Sequence, residues 1–354
     1  MSISPRAIDA LKLVSDLQSR FVKGLEAVSC GNGVAVDFAL TQWLRDGGTH
    51  GGGNRYTASD GVFFDRASVN VSQIHYEDLA EKKLASATAI STIIHPSNPH
   101  CPSVHIHISW TEMKEGAGYW RIMADLNPSV VHEAYRDEFI ELMQQAAPLQ
   151  YEEASAQGDR YFFIPALDRH RGVAHFYLES YRSDDALADR ALAEVFGKAV
   201  IDGYLEILRK ASQGYPVFDE ADRSEQLAYH TLYLFQVLTL DRGTTSGLLV
   251  HDQNDLGIMG SLPSHVDRKL LVSWKESVAP PQQGLQQALL EALPEDGVVT
   301  DEVKLELAKA VREHYRKNPD ALSFQASGNV VPPTVENHRS SLGEKEPPMD
   351  TNKH

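Results

Sequence analysis

Cysteine is scarce in this sequence, because only two of the 354 residues are cysteines. Cys30 and Cys101 lie far apart along the chain, so they cannot form the disulfide framework of a small secreted scaffold. We interpret both as small buried apolar side chains in a protein of the reducing cytoplasm. Residues 1–21 also lack the apolar core and the cleavage site of a signal peptide.

Long apolar runs and an excess of basic residues are missing as well. No uninterrupted apolar segment approaches the roughly 20 residues that a membrane helix needs, so no membrane span is predicted. The 49 acidic residues outnumber the 33 Lys and Arg residues, which gives a formal net charge of −16. Because nucleic-acid binding relies on clustered Lys and Arg, this charge argues against nucleic acid as a partner. The negative net charge does not exclude binding of an anionic small molecule, because charges more than about 8 Å away are screened. The arginines that line the site therefore determine its affinity for an anion.

Several common catalytic motifs are absent too. The sequence has no Gly-x-Ser-x-Gly elbow, no His-Glu-x-x-His, no Gly-x-Gly-x-x-Gly fingerprint and no Cys-x-x-Cys pair. These absences argue against the commonest hydrolase, metalloprotease and dinucleotide-binding interpretations. The glycine-rich segment 46–54 lacks the Gly-Lys-Ser/Thr ending of a phosphate-binding loop, so we interpret it as a mobile or tightly turning connection.

The segment CPSVHIHISW (101–110) predicts a strand with two different faces. Alternate side chains of a strand share a face, so the branched apolar residues within 104–108 point one way. His105, His107 and Ser109 then point the other way, toward solvent or a polar cavity. Three interpretations of the histidines remain open: a hydrogen-bonded polar face, an acid/base group and a metal site.

The metal interpretation combines His105 and His107 with either His95 or Glu112. The spacing of the two histidines is similar to that of the cupins, in which a Glu follows four residues later. On an unbroken strand, however, Glu112 points to the face opposite the histidines. No second cupin-like motif follows downstream.

The remaining pattern predicts an α+β protein in which a large antiparallel β-sheet is flanked on both faces by α-helices. Strand-like runs follow one another after short turns, which is typical of antiparallel neighbours. We expect one domain over residues 1–327 and a disordered tail over 328–354, where Pro, Ser, Asn and charged residues dominate. The expected strands are 62–76, 87–96, 103–113, 118–128, 170–181, 231–243 and 256–263, and the expected helices are 5–30, 132–147, 183–211 and 284–316, the last in two pieces.

Three charged residues lie at the ends of predicted strands. Asp125 ends one strand, and the pair Asp241-Arg242 ends the apolar run QVLTL. A charged pair at a strand end commonly closes a turn, so none of these residues identifies a function by itself.

The order of longer motifs along the chain carries more information. Between about residues 47 and 297 the chain contains, in this order, GGGNRYTASDGVFFDRASVNVS, IIHPSNPHCPSVHIHISW, YWRIMADLNP, YFFIPALDRHRGVAHFYLESY, LTLDRGTTSGL and GIMGSLP. In the same order, these segments resemble motifs of the oxygen-dependent coproporphyrinogen III oxidases, which include HP.NP..P..H.N.R, FDLTP, YFFIPHR, YDRGT.FGL and SLPP.

The resemblance implies a homodimer in which each subunit has its active site in a cleft of a helix-flanked antiparallel sheet. It implies oxidative decarboxylation of two propionate side chains to vinyl groups, with O₂ as the co-substrate, in porphyrin and haem biosynthesis. No organic cofactor or metal is expected to be required, because the porphyrinogen is electron-rich enough to react with O₂. The protein then supplies a carboxylate near the pyrrole N–H groups, an acid/base imidazole and a water-poor pocket.

The family motifs assign expected roles to individual residues. His105 falls on the proposed proton donor, Asp125 on the Asp of FDLTP and Asp241 on the Asp of YDRGT, so these three are the candidate catalytic residues. Ser91 and Arg242 fall on positions that contact the substrate.

The chain departs from the family where the family uses arginines. In H.N.R, the Asn and the Arg are replaced by His107 and Ser109, and a later Gly-Gly-Arg aligns with His251, Asp252 and Gln253. These five residues are therefore candidates for altered substrate contacts. A charge-assisted hydrogen bond to a carboxylate contributes roughly 1.5–3 kcal/mol, so losing two arginines would lower affinity by about 10²–10⁴. The arginines that could replace them are Arg55, Arg66, Arg121, Arg171 and Arg242.

Four functions remain compatible with the sequence. The first is a coproporphyrinogen oxidase, and the second is a relative that performs O₂-dependent chemistry on a different, less anionic substrate. The third is a metal-dependent oxygenase or hydrolase using His95, His105 and His107, because His95 falls on a position assigned as a metal ligand in some bacterial family members. The fourth is a tetrapyrrole or protein binder without catalytic activity.

Overall fold

An antiparallel sheet is the centre of the fold in the computed structural model, which describes residues 3–251 and 254–329. Its seven strands within these residues are β1 (Ala39–Leu44), β2 (Gly51–Ala58), β3 (Phe64–His75), β4 (Leu84–Pro96), β5 (Ser103–Met113), β6 (Tyr119–Asn127) and β9 (Ala174–Tyr181). They lie in this order, and each strand is antiparallel to its neighbour. A separate short ladder joins β7 (Phe163–Ile164) to β8 (Arg169–His170).

The helices lie on both faces of this sheet, which confirms the predicted fold class. None of those in the described residues is long and apolar enough to cross a bilayer. They are α1 (Pro5–Gly31), α2 (Glu133–Ala146), α3 (Tyr151–Phe162), α4 (Ala186–Gly214), α5 (Glu220–Thr239), α6 (Arg242–Val250), α7 (Asp255–Ile258), α8 (Arg268–Ser273), α9 (Pro280–Ala292) and α10 (Asp301–Lys317).

The apolar face of the sheet packs against α1, α2 and α4. Val104, Ile106 and Ile108 of β5 are completely buried there, as the alternation predicts. Ser4 is the N-cap of α1, and its hydroxyl accepts a hydrogen bond from the backbone N–H of Ala7. The apolar residues of α1 recur at helical spacing, so one side of α1 faces β3, β4 and β5.

The opposite face carries the polar side chains of the strands. α3 packs on β9, and a second apolar cluster joins Ile93 of β4 to α5, α8, α9 and α10. The candidate site residues of β5, His105 and His107, therefore lie between the sheet and a second layer of helices.

The prediction of strands over 231–243 and 256–263 is wrong. Residues 231–239 belong to α5, and 256–261 form α7 and a following 3₁₀ turn. A short apolar run such as QVLTL does not distinguish a buried strand from a helix that is buried on all sides. The signal for the helix lies outside the run, in the capping box that Asp219 and Asp222 form at the start of α5.

The glycine-rich segment 46–54 is a turn followed by a strand. Residues Asp46–Gly48 form a 3₁₀ turn, in agreement with a tight connection, whereas residues 51–54 already belong to β2. A Cβ at Gly51 would meet the carbonyl oxygen of Gln73, and one at Gly52 would meet that of Trp43. The glycines therefore allow β2 to lie between β1 and β3.

The two cysteines have different environments. Cys101 is buried, as predicted, but the prediction is wrong for Cys30, which is exposed near the end of α1. Both are free thiols.

Most of the predicted tail, 328–354, lies outside the described residues. Only Gly328 and Asn329 are described, and their backbone N–H groups both donate to the carboxylate of Glu179, at 2.8 and 3.0 Å. These two residues are thus docked on the fold, and a single domain over 1–327 stays a prediction.

Candidate active site

A cavity of about 240 Å³ lies between the polar face of the sheet and the helices α5, α6 and α7. β3, β4, β5 and β6 contribute one wall, and the start of α6 and the segment around α7 contribute another. The alternation that buries the branched residues of β5 places His105 and His107 in this cavity.

His105 is held by a buried network of charged and polar groups. It is the direct cross-strand partner of Asp125, and its Nδ1 donates to Asp125 Oδ1 at 3.0 Å. Arg171 Nη2 and Asn127 Nδ2 both donate to Asp125 Oδ2 at 2.7 Å. Arg171 Nη1 also donates to Gln236 Oε1, at 2.9 Å. Because Nδ1 is engaged, Nε2 is the ring nitrogen of His105 that a ligand in the cavity can reach.

Asp125 itself is completely buried behind His105 and does not belong to the cavity wall. Burial alone would raise the pKa of Asp125, but the Arg171 guanidinium and the contacts with His105 and Asn127 outweigh it and hold the pKa well below its usual range. The carboxylate is therefore ionised and orients the imidazole. A ligand in the cavity reaches Asp125 only through His105 or Arg171, which do line the cavity.

Asp241 lines the same cavity as His105, from the start of α6. Its Oδ1 accepts the backbone N–H of Thr244 at 2.6 Å, so it is the N-cap of α6. Its Oδ2 accepts the hydroxyl of Tyr161 at 2.9 Å. Burial and the adjacent Asp241 raise the pKa of Tyr161 well above its usual value, so the phenol remains a hydrogen-bond donor.

Ser91 and His107 are further residues of the cavity wall, and they are direct cross-strand partners. His107 Nε2 is hydrogen-bonded to Ser109 Oγ at 3.0 Å. Burial, together with the positive charge of Arg121, holds the pKa of His107 well below its usual value, so this imidazole is neutral. Ser109 does not contribute to the cavity wall, whereas its cross-strand partner Arg121 does.

Arg242 and His251 are not in this cavity wall. His251 lies in a neighbouring pocket. Arg242 Nε donates to the carbonyl oxygen of Ala326 at 3.2 Å, so the C-terminal segment engages its guanidinium. Asp252 and Gln253 lie outside the described residues.

The expected metal ligands His95 and His105 each have a protein hydrogen-bond partner, and a metal-binding role for them stays a prediction. His95 is completely buried, and its Nδ1 is hydrogen-bonded to Ser103 Oγ at 2.9 Å. Within residues 3–251 and 254–329, no three His, Cys, Asp or Glu side chains are arranged so that they could hold a metal ion. Glu112 points to the opposite face, as its parity predicts, and accepts the hydroxyl of Ser4 at 2.5 Å.

The tyrosines of the cavity were missed by the reasoning from sequence. Tyr161, Tyr177 and Tyr233 come from α3, β9 and α5 and line the cavity together. Tyr161 and Tyr177 stack edge to face with ring centroids 4.6 Å apart. Tyr161 and Tyr177 lie within the motif-bearing segment 161–181, whereas Tyr233 lies outside every quoted motif. The sequence does not show that the three meet, because the contact between them depends on how the helices pack on the sheet.

This architecture defines an α+β protein with a cavity between one face of an antiparallel sheet and a helical layer. The sequence model of the family described as coproporphyrinogen III oxidase matches residues 9–297. The chain therefore belongs to the coproporphyrinogen III oxidase family. Helix α10 and the C-terminal segment lie beyond the matched range.

Three similar curated proteins carry closely related names. The chain is 26% identical over 313 residues to the mitochondrial oxygen-dependent coproporphyrinogen-III oxidase of Rattus norvegicus, covering 81% of this chain and 68% of that protein. It is 27% identical to the oxygen-dependent coproporphyrinogen-III oxidase of Drosophila melanogaster, covering 81% of this chain and 77% of that protein. For the mitochondrial protein of Mus musculus the identity is 26%, and the alignment covers 81% and 68%.

Proposed function

We propose that this chain is an oxidoreductase that decarboxylates propionate side chains with O₂, converting coproporphyrinogen III to protoporphyrinogen IX in haem biosynthesis. Family membership and the names of the relatives support this proposal. In the proposed reaction each propionate loses CO₂ and a hydride equivalent and becomes a vinyl group. O₂ accepts the two electrons and, with one further proton, leaves as hydrogen peroxide.

The observation that carries the proposal is the pairing of an oriented imidazole with a carboxylate in one cavity. His105, fixed by Asp125, and Asp241, fixed by Tyr161 and Thr244, both line the space between the sheet and the helices. Side chains that are already held in place lose little entropy when a ligand binds and are therefore suited to catalysis.

Each of these groups has a distinct role in the proposed reaction. Nε2 of His105 exchanges a proton with the reacting side chain, and Asp125 stabilises the imidazolium that forms. The carboxylate of Asp241 accepts hydrogen bonds from pyrrole N–H groups and stabilises positive charge that develops on the ring during oxidation.

The direct test uses coproporphyrinogen III that is prepared anaerobically, mixed with the protein and then exposed to air. We expect release of CO₂ and formation of protoporphyrinogen, measured as protoporphyrin by chromatography after oxidation. His105→Asn should abolish most of this turnover, whereas His170→Asn, at an exposed histidine outside the cavity, should retain it. A folded wild-type protein that yields neither product contradicts the proposal.

The size of the cavity favours a second candidate, in which the same chemistry acts on a smaller or less anionic substrate. A volume of about 240 Å³ is below the roughly 300–1,000 Å³ of typical ligand pockets. Ser109 also favours a less anionic substrate, because it stands where the family motif has an arginine. Competition between coproporphyrinogen III and smaller or less anionic compounds distinguishes the two candidates. Under the second candidate, such a compound should bind more tightly than coproporphyrinogen III.

We propose that O₂ is the only co-substrate and that neither an organic cofactor nor a divalent metal is required. The electron-rich character of a porphyrinogen supports this view. The test is elemental analysis of protein that is purified without chelator, together with turnover before and after treatment with EDTA. A full equivalent of metal whose removal abolishes turnover would instead support the metal-dependent alternative.

We also propose that the chain forms a homodimer in the cytoplasm, as the resemblance implies. β1 is an edge strand of the sheet, and its Leu40 and Leu44 are 55% and 53% exposed, which is typical of an unprotected pairing edge. The free thiols Cys30 and Cys101 are compatible with a reducing compartment. Light scattering should give twice the monomer mass, and Leu40→Glu combined with Leu44→Glu should lower it. A monomeric wild type contradicts the proposal.

A further inference from the structure

Arg121 projects into the cavity from the position directly paired with Ser109. The two residues are cross-strand partners on β6 and β5, and Arg121 belongs to the cavity wall whereas Ser109 does not. Paired side chains on one face of an antiparallel ladder have Cβ atoms about 4.5–5.5 Å apart. A guanidinium at 121 can therefore reach much of the space that one at 109 would reach.

The other four replacement arginines are less suited to contact a ligand in this cavity. The two terminal nitrogens of Arg171 already donate to Asp125 and Gln236. Arg242, Arg55 and Arg66 are not among the side chains that line the cavity.

Arg121 has few protein partners of its own. Its Nε donates to the carbonyl oxygen of Glu179 at a long 3.5 Å, and it forms no ion pair with any carboxylate in residues 3–251 and 254–329. Burial alone would lower the pKa of Arg121, but Tyr177, Tyr119, Tyr161 and Glu179 together raise it, so the side chain stays charged. A partly buried cation without an ion-pair partner is stabilised when an anionic group enters the space that it lines.

We propose that Arg121 is the residue that binds a carboxylate of the substrate and selects for carboxylate-bearing ligands. The identity of the substrate rests on the proposed function, but the role of Arg121 rests on the cavity and the strand register. Ser109, by contrast, makes room on the neighbouring strand and is hydrogen-bonded to His107.

The first experiment measures binding of coproporphyrinogen III without oxygen, by calorimetry. Arg121→Gln should weaken binding about 10- to 100-fold, as expected for the loss of one charge-assisted contact with a carboxylate. The double variant Ser109→Arg with Arg121→Ser should recover most of the affinity, because it moves the guanidinium to the paired position. Arg316→Gln, at an exposed arginine of α10, is the matched control and should bind like wild type. Thermal unfolding of every variant shows whether it is folded.

A second experiment does not depend on porphyrinogen recognition. Succinate and glutarate, at constant ionic strength, should raise the melting temperature of wild type more than that of Arg121→Gln. Equal affinity of wild type and Arg121→Gln for coproporphyrinogen overturns the inference and leaves the proposed function intact. If wild type does not bind coproporphyrinogen, the proposed function fails, and the dicarboxylate experiment alone tests the role of Arg121. A larger rise of the melting temperature in wild type than in Arg121→Gln upholds that role. Equal rises in the two proteins overturn it.

Discussion

His105 and Asp125 are direct partners across β5 and β6, and a hydrogen bond of 3.0 Å joins Nδ1 of the imidazole to the carboxylate. The carboxylate is completely buried and also binds Arg171. One sheet therefore provides both an imidazole at the cavity wall and the charged group that orients it. Asp125 therefore contributes to stability, because it neutralises the buried guanidinium of Arg171. It also orients His105, the candidate acid/base group.

Asp125→Asn should destabilise the protein and impair turnover together. The substitution keeps the shape of the side chain but leaves the guanidinium of Arg171 buried without its counter-charge. Removing one partner of a buried ion pair typically costs about 3–5 kcal/mol. We expect a loss of this size in the free energy of unfolding, measured by urea denaturation.

The matched control for this experiment is Asp202→Asn, which breaks the exposed ion pair with Arg20. Exposed pairs contribute less than about 1 kcal/mol, so this variant should unfold almost like wild type. Equal stability of Asp125→Asn and Asp202→Asn would contradict the assignment of Asp125 to a buried ion pair.

Asp241 combines two roles that substitutions can separate. Asn is as good an N-cap as Asp, so Asp241→Asn should keep the hydrogen bond from Thr244. Its NH2 group would then face the buried hydroxyl of Tyr161, which loses its acceptor, so we expect a destabilisation of about 1–3 kcal/mol. The kcat of this variant should fall about 10²–10³-fold, with KM little changed, because the negative charge near the substrate is lost. Asp241→Ala should show the same loss of kcat and an additional destabilisation of about 1 kcal/mol. Steady-state kinetics and thermal unfolding measure the two effects, and wild-type kcat in Asp241→Asn would rule out a catalytic carboxylate at this position.

The strands could be predicted where one face is buried and the other is polar. The expected strand 103–113 coincides with β5, Ser103–Met113, because its alternation is regular. The region 231–243 was predicted incorrectly because almost every side chain of α5 in this stretch is buried, which removes the amphipathic signal of a helix. Asp241 was still found, since the motif that marks it does not depend on the secondary structure around it.

The site could be predicted only in part because sequence gives the face of a strand but not its register. The parity of His105 and His107 was sufficient to place both on the polar face. Register decides that Asp125 lies behind His105 and that Arg121 lies beside Ser109, and register depends on the neighbouring strand.

The close packing of α3 on β9 predicts a strong effect of substitution at Gly158. A Cβ at this position would lie 2.6 Å from the Cβ of His175 and 3.3 Å from the backbone nitrogen of Phe176. Gly158→Ala should therefore push α3 away from the sheet and destabilise the protein by about 1–3 kcal/mol. Gly31→Ala, at the end of α1 where a Cβ meets open space, is the control and should be tolerated. Equal midpoints of the two variants in urea denaturation would contradict the close approach of α3.

The buried histidine His230 should make stability depend on pH in the mildly acidic range. Burial lowers the pKa of His230 to about 4; His265 adds to this shift and Asp65 opposes it. In the unfolded chain the ordinary pKa is about 6.5, so between about pH 6.5 and 4 the unfolded state binds more protons than the native state. The contribution of His230 to stability is therefore complete above about pH 6.5 and is lost as the pH falls toward 4.

His230→Asn should make the decrease in stability shallower over this range, by up to about 1.4 kcal/mol per pH unit. Urea denaturation of wild type and variant between about pH 4.5 and 7 measures the two slopes. The variant should keep a residual slope, because burial also lowers the pKa values of His95 and His107. Identical slopes in the two proteins would mean that His230 takes up its proton in the native state, which would require water or a counter-charge to reach the interface between α5 and the sheet.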